Sequence, residues 1–197
     1  MTRIIVGISG ASGIVLAQKA VRKLIAMDHD VCLVMTQAAC CTTVYELDIP
    51  CRGPEVFCDL SFTAEERKAI TTYHIQDFGA PIASGSYPAY GMLVVPCSMT
   101  TLAAVACGIA DNLLRRACDV SLKERRPLVL VPREAPLSEL HLQNMLTVAR
   151  LGGVIVPPVP AWYMKPKTLS DAEDFIVGKA LEALKLDNVD YPRWKSG

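Results

Sequence analysis

No uninterrupted apolar run in this 197-residue chain approaches the ~18 residues that a membrane-spanning helix needs. Net charge is also missing. Twenty Lys plus Arg balance 20 Asp plus Glu, so no long-range field draws the chain to nucleic acid or to an acidic membrane. No basic-then-apolar leader opens the sequence; a strand-like Ile4-Ile5-Val6 run begins almost at once. The eight cysteines include no Cys-x-x-Cys pair and no paired spacing of the zinc-finger kind. Several sit in apolar runs, as in Val31-Cys32-Leu33 and Val95-Pro96-Cys97, which predicts buried free thiols in a reducing cytosol, hence a cytoplasmic protein. His29, His74 and His141 are isolated, at spacings that suit neither a metal site nor a catalytic triad. There is no repeat, no low-complexity segment and no interdomain linker.

What the chain has is apolar surface. Hydrophobic residues make up 51% and the mean hydropathy is +0.29, high for a soluble monomer of one domain, so subunit contacts are expected. Short β-type runs at 3–8, 31–35, 71–75, 92–96, 128–132 and 154–156 alternate with helical patterns at 14–27, 37–47, 101–107, 112–122, 139–151 and about 171–184. Ser170 and Glu173 have capping-box spacing at the start of the last helix. The least regular stretch is 48–70, and 187–197 reads as a non-helical tail. Alternating β and α with wholly apolar strands predicts a single α/β domain, a parallel sheet with helices on both faces. We assign residues 1–185 to that domain and 186–197 to the tail.

In such a sheet, ligands bind beyond the carboxyl ends of the strands. The residues falling there are Ser9-Gly10-Ala11-Ser12-Gly13, Thr36, Cys97-Ser98-Met99-Thr100-Thr101, Arg133-Glu134, and a proline-rich loop holding Trp162 and Tyr163. Gly7, Gly10 and Gly13 bracket a strand-to-helix turn, as in a loop that approaches a phosphate at a helix N-terminus; packing glycines in a tight turn are the plainer account. Met35-Thr36 ends the second strand with no acidic residue, against a ribose-gripping dinucleotide site, while the glycines with Ser9 and Ser12 favour a mononucleotide. Ser98, Thr100 and Thr101 either cap the helix they open or bind a flavin edge or phosphate. Arg133-Glu134 follows Leu128-Val129-Leu130-Val131-Pro132, where it presents a phosphate-binding guanidinium and an acid/base carboxylate, or else a surface ion pair. Lys123, Arg125 and Arg126 are a solvated helix end or a phosphate contact. Tyr163 and Trp194 cover core, or face a carbocation.

Taken in order, these segments are specific. They run from Ser9-Gly10-Ala11-Ser12-Gly13 through Val95-Pro96-Cys97-Ser98-Met99 and Asp111-Asn112-Leu113-Leu114. Leu122-Lys123-Glu124-Arg125-Arg126-Pro127, the strand after it, Arg133-Glu134 and Pro157-Pro158-Val159-Pro160-Ala161-Trp162-Tyr163 complete the set. Over nearly its whole length the chain closely resembles the UbiX-type flavin prenyltransferases.

The resemblance implies a Rossmann-like, flavodoxin-type subunit in a homododecamer, with active sites between subunits. It implies reduced FMN and dimethylallyl monophosphate as substrates, alkylation at flavin N5, then ring closure at C6. It implies no metal, delivery of prenylated FMN to a UbiD-type decarboxylase, and a link to ubiquinone biosynthesis. By motif position it places FMN on Gly10, Ala11, Ser12, Thr36, Ser98, Met99, Thr100, Thr101 and Arg133. It surrounds the prenyl phosphate with Lys123, Arg133, Glu134, Tyr163 and Lys179. Catalytic roles fall to Ser12 with Glu46, Lys123, Glu134 and Trp194, the last a tail aromatic that closes the site. Thr36 replaces the usual serine, Lys179 a frequent arginine and Trp162 the usual phenylalanine; at Lys179 the bidentate fork is lost and the charge kept.

Two other functions share the fold. An FMN-dependent cysteine decarboxylase of the phosphopantothenoylcysteine type would carry a catalytic His shortly before the 92–96 strand and an Asn after it. Here Ser84-Gly85-Ser86-Tyr87 and Cys97-Ser98-Met99-Thr100 stand instead. A non-enzymatic FMN-binding accessory subunit would have no need of Lys123, Glu134 and Tyr163 together.

Overall fold

The structure, a computed structural model, describes residues 2–194; positions 195–197 of the expected tail lie outside the described residues. Six strands, β1 (Thr2–Ile8), β2 (His29–Met35), β3 (Ile70–Tyr73), β4 (Ala89–Cys97), β5 (Leu128–Pro132) and β6 (Val154–Ile155), make one sheet in the order β3-β2-β1-β4-β5-β6. Every neighbouring pair is parallel. This is the doubly wound order of Rossmann sheets.

The helices divide between two layers. On one face α1 (Ile14–Ala26), α2 (Gln37–Leu47), α3 (Pro54–Ser61) and α7 (Leu169–Ala183) pack on Ile4, Val6, Ile8, Leu33, Leu93 and Val129. On the other, α4 (Met99–Ala106), α5 (Leu113–Lys123) and α6 (Glu139–Arg150) pack on Ile5, Val34, Met92, Val94 and Leu130. The pleat sends successive side chains to opposite faces, so the strand stretches covered on both sides are apolar, as at 4–6, 31–35, 92–95 and 128–131. The expected architecture, a parallel sheet with helices on both faces, is the observed one.

Three local expectations are corrected. The stretch 48–70 contains α3, opened by Pro54 at its first turn, with Pro54, Phe57, Cys58 and Ser61 buried at helical spacing. The capping box of α7 is Thr168 with Asp171, two residues earlier than expected; Ser170 and Glu173 instead meet Lys19 of α1. The helix after β4 begins at Met99, because Ser98 is its N-cap. All eight cysteines are free, six of them buried. His141 closes a capping box with Ser138, and His74 accepts from the Gln76 amide, both structural roles. Among the described residues no helix is long and apolar enough to cross a membrane.

Candidate active site

The strand order reverses between β1 and β4, so α1 leaves toward one layer and α4 toward the other. The crevice between them is where such sheets take ligands. The chain builds its walls with its own hydrogen bonds. Ser9, fully buried, donates its hydroxyl to the Pro96 carbonyl (3.1 Å) and accepts from the Ser98 amide (2.7 Å), stapling the loop after β1 to the loop after β4. Ser98 accepts from the Thr101 amide (3.2 Å) as N-cap of α4, and its hydroxyl pairs with that of buried Thr101 (3.1 Å). Thr36 accepts from the Ala39 amide (3.1 Å) as N-cap of α2.

The glycine loop has a structural reason of its own. A Cβ on Gly10 would overlap Ala38 at the start of α2, so only glycine lets these segments meet. Gly13 holds the left-handed φ of +108° and offers α1 no side-chain cap. Glu46, at the end of α2, supplies one: its carboxylate accepts from the amides of Gly13 (3.0 Å) and Ile14 (2.8 Å), at the positive end of the α1 dipole. The structure thus brings Glu46 to the residue following Ser12. The bonds go to backbone amides, not to the Ser12 hydroxyl.

What the fold leaves unused faces outward around this crevice. Ser12 and Thr100 are exposed, with Ala11 and Met99 half-buried beside them. Arg133 bonds its amide to the Cys97 carbonyl (3.2 Å), which sets the Arg133-Glu134 step alongside the Ser98 turn. Both side chains are exposed. They form no ion pair with each other or with other described residues; Glu134 accepts only from the neighbouring Ala135 amide (3.0 Å). The surface ion pair considered above does not form.

The remaining expected residues lie elsewhere. Tyr163, in a helical turn after β6, stacks edge-on against Trp194 of the tail (4.9 Å between centroids) and against Phe175 of α7 (6.1 Å). Tyr191 continues the aromatic row to Phe175 (5.8 Å) and lies so close over Gly178 that a Cβ there would overlap it. A cleft of about 940 Å³ opens between the 163–167 loop, the first turns of α7 and the tail. Lys179 is held by Glu182 (2.7 Å), which also accepts from the Tyr191 hydroxyl (2.6 Å) and faces Arg193 (3.3 Å). The Lys179 ammonium, then the Tyr191 hydroxyl, hold the Glu182 carboxyl below its ordinary range; Glu182 in turn raises Lys179.

Lys123 ends α5, one full strand length below Arg133, at the amino edge of the sheet. There it pairs with Glu124 beside Gly85. Within one chain it therefore does not join Arg133 and Glu134, and no hydrogen bond or ring contact links it with Tyr163 or Lys179. The sequence reading missed the roles of two residues in particular. Ser9, read in the sequence only as a hydroxyl favouring a mononucleotide, is a backbone staple, a usual role for a hydroxyl directly after a buried strand. Glu182 carries only the i,i+3 spacing from Lys179.

Residues 1–181 match the Flavoprotein family. The chain is 46% identical over 199 residues to a flavin prenyltransferase UbiX of Chlamydia trachomatis, covering all of this chain and 99% of that one. Among solved structures, a UbiX enzyme in complex with FMN and dimethylallyl pyrophosphate superposes with a TM-score of 0.87 at 44% identity, over 100% of this chain and 98% of that one. A dodecameric FMN-dependent UbiX-like decarboxylase from Escherichia coli O157:H7 gives 0.85 at 38% identity, over 99% and 100%. A PPC decarboxylase, at 20% identity and a TM-score of 0.60, shares the fold alone.

Proposed function

The chain belongs to the UbiX family of flavin prenyltransferases, and from that premise we propose how its residues divide the work. It is a transferase that joins a dimethylallyl group to reduced FMN. The observation that carries the site assignment is the Arg133-Glu134 step, a guanidinium and a carboxylate that the fold leaves unspent at the crevice rim beside the Ser98 turn.

The residues present fit a flavin mononucleotide. Ser12, Thr100 and Arg133 offer exposed donors around a crevice whose backbone is already fixed by Ser9, and Gly10 keeps its loop tight against α2. We assign FMN to Gly10, Ala11, Ser12, Thr36, Ser98, Met99, Thr100, Thr101 and Arg133. When bound, reduced FMN supplies the electron-rich ring that accepts the prenyl group. The donor's C–O bond breaks more readily where cations neutralise the departing phosphate, the role of Arg133, Lys123 and Lys179. Tyr163 and Trp194, already packed together, offer aromatic faces to an allylic cation and exclude water from it. Glu134 has a free carboxylate and takes the proton released on ring closure. Glu46 holds the Ser12–Ile14 turn in place.

Lys123 reaches such a site only from another copy, since its own chain keeps it at the opposite sheet edge. The exposed Leu140, Leu142, Leu146, Ile109 and Tyr45 support extensive subunit contacts. We therefore read the enzyme as a homo-oligomer, a dodecamer like its Escherichia coli relative. The tail 186–194 acts as the closing segment of the domain. Free thiols throughout support a cytoplasmic enzyme. A product with a fourth ring, useful only as a cofactor, supports a UbiD-type decarboxylase as its consumer.

The test is anaerobic incubation of the purified oligomer with reduced FMN and either dimethylallyl monophosphate or the diphosphate, with the flavin product read by mass spectrometry. Prenylated FMN from the monophosphate is the expected outcome. FMN returned unchanged with both donors overturns the assignment, and decarboxylation of a cysteine-ended substrate would support the cysteine decarboxylase instead.

A further inference from the structure

The carboxylate of Glu182 is shared by two parts of the molecule. One is Lys179, on the same helix. The other is the tail, through the Tyr191 hydroxyl and the Arg193 guanidinium. The tail arrives by close packing: Tyr191 lies over Gly178, where any side chain would displace it. From Tyr191 the rings of Phe175, Tyr163 and Trp194 follow in edge-on contact to the rim of the large cleft. Glu182 thus sits at one end of a rigid row whose other end is Trp194. A carboxylate with two oxygens accepts all three donors at once; an amide in its place offers one oxygen and no charge.

We propose that Glu182 is a positioning residue for prenyl transfer: it sets the Lys179 ammonium and the Trp194-bearing tail in one register, so that donor-phosphate capture and closure are a single coupled event. The proposal rests on the reading of Lys179 as a donor-phosphate ligand. Lys179 keeps further N–H donors for a phosphate while bonded to Glu182, so the carboxylate orients the cation without consuming it. By linkage, whatever steadies Lys179 through Glu182 steadies the tail to the same extent.

The variants are Glu182→Gln and Glu182→Asp, each in the full-length oligomer with Trp162→Phe, so that Trp194 is the sole tryptophan emitter. For Glu182→Gln we expect the KM for dimethylallyl monophosphate to rise roughly ten-fold, the scale of one lost charge-assisted hydrogen bond, with a smaller change in kcat. FMN affinity stays at the wild-type value, and Trp194 emission shifts to longer wavelength with easier quenching. Glu182→Asp, which keeps the charge, recovers most of the KM. An unchanged or lowered KM together with unchanged emission overturns the proposal, as does an equal loss of FMN binding, which would mark Glu182 as merely structural. Lys179→Met separates the two readings. If it leaves the donor KM unchanged, Lys179 is no phosphate ligand and the coupling falls with it, while the emission of Glu182→Gln still reports whether Glu182 holds the tail.

Discussion

At the carboxyl edge of the sheet, the loops after β1, β2 and β4 are closed by bonds made within the chain: Ser9 to Pro96 and Ser98, Thr36 to Ala39, Glu46 to Gly13 and Ile14. At the α7 wing, the polar groups are paired just as fully, but on the one half-buried carboxylate of Glu182 and across a tail segment of a few residues. The first region is anchored on buried Ser9 and Thr101, and its bonds are all made within the chain. The second is held by surface ion pairs, each worth little alone and open to exchange for a phosphate. On the site assignment proposed above, the two regions divide the labour: the acceptor is received by a finished surface, the donor by one that completes itself.

The sharpest way to test that division is Glu134→Gln. The side chain is exposed and unpaired with other side chains, so folding and FMN binding should persist. Prenyl transfer should slow by about 10²-fold or more, the scale for losing a positioned acid/base group, read in single-turnover product formation. Wild-type turnover would leave the leaving phosphate as proton carrier. Ser9→Ala strikes the finished surface instead. It strands the Ser98 amide, while the Pro96 carbonyl keeps the Ser9 amide, and should cost about 2 kcal/mol in urea unfolding, the penalty range for an unsatisfied buried polar group, with weaker FMN binding. Lys123→Ala should raise the donor KM about ten-fold with FMN affinity untouched, as expected for one lost cationic hydrogen bond. An equal loss of flavin would erase the distinction between the regions.

The smallest effect concerns pH. Lys179 and the Tyr191 hydroxyl depress the folded-state pKa of Glu182, so its contribution to holding the tail is complete at neutral pH. It is lost as pH falls through that depressed value, below the ordinary carboxylate range. Trp194 quenching should therefore increase under acid conditions in the wild type and stay flat with pH in Glu182→Gln.

The sheet is legible because its central strands carry unbroken apolar runs, at 4–6, 31–35, 92–95 and 128–131, bounded by turn residues. β1, β2, β4 and β5 fall within a few residues of where periodicity puts them. α3 was not read, although Pro54 and the Phe57-Cys58 pair carry helical signals, because Pro50, Gly53 and nearby polar residues suggested an irregular loop. The capping box slipped by two residues because Thr168-x-x-Asp171 and Ser170-x-x-Glu173 both fit the pattern, and only the packing of Lys19 against Ser170 decides. In the site, residue types were legible but their grouping was not. Lys123 lies ten residues before Arg133 in the chain and a whole strand away in space, a separation that linear order conceals.

That separation also changes what a defective copy does. If, as proposed, the pocket borrows its Lys123, it belongs to no single chain, so a chain lacking Lys123 would harm a neighbour's pocket, while a chain lacking Glu134 would harm its own. Two alleles, each impaired alone, would partly restore one another when co-expressed, because some pockets would inherit the intact lysine from one parent and the intact glutamate from the other. In such an assembly the unit on which a mutation acts would be the contact between chains, and recessiveness would become a property of assembly.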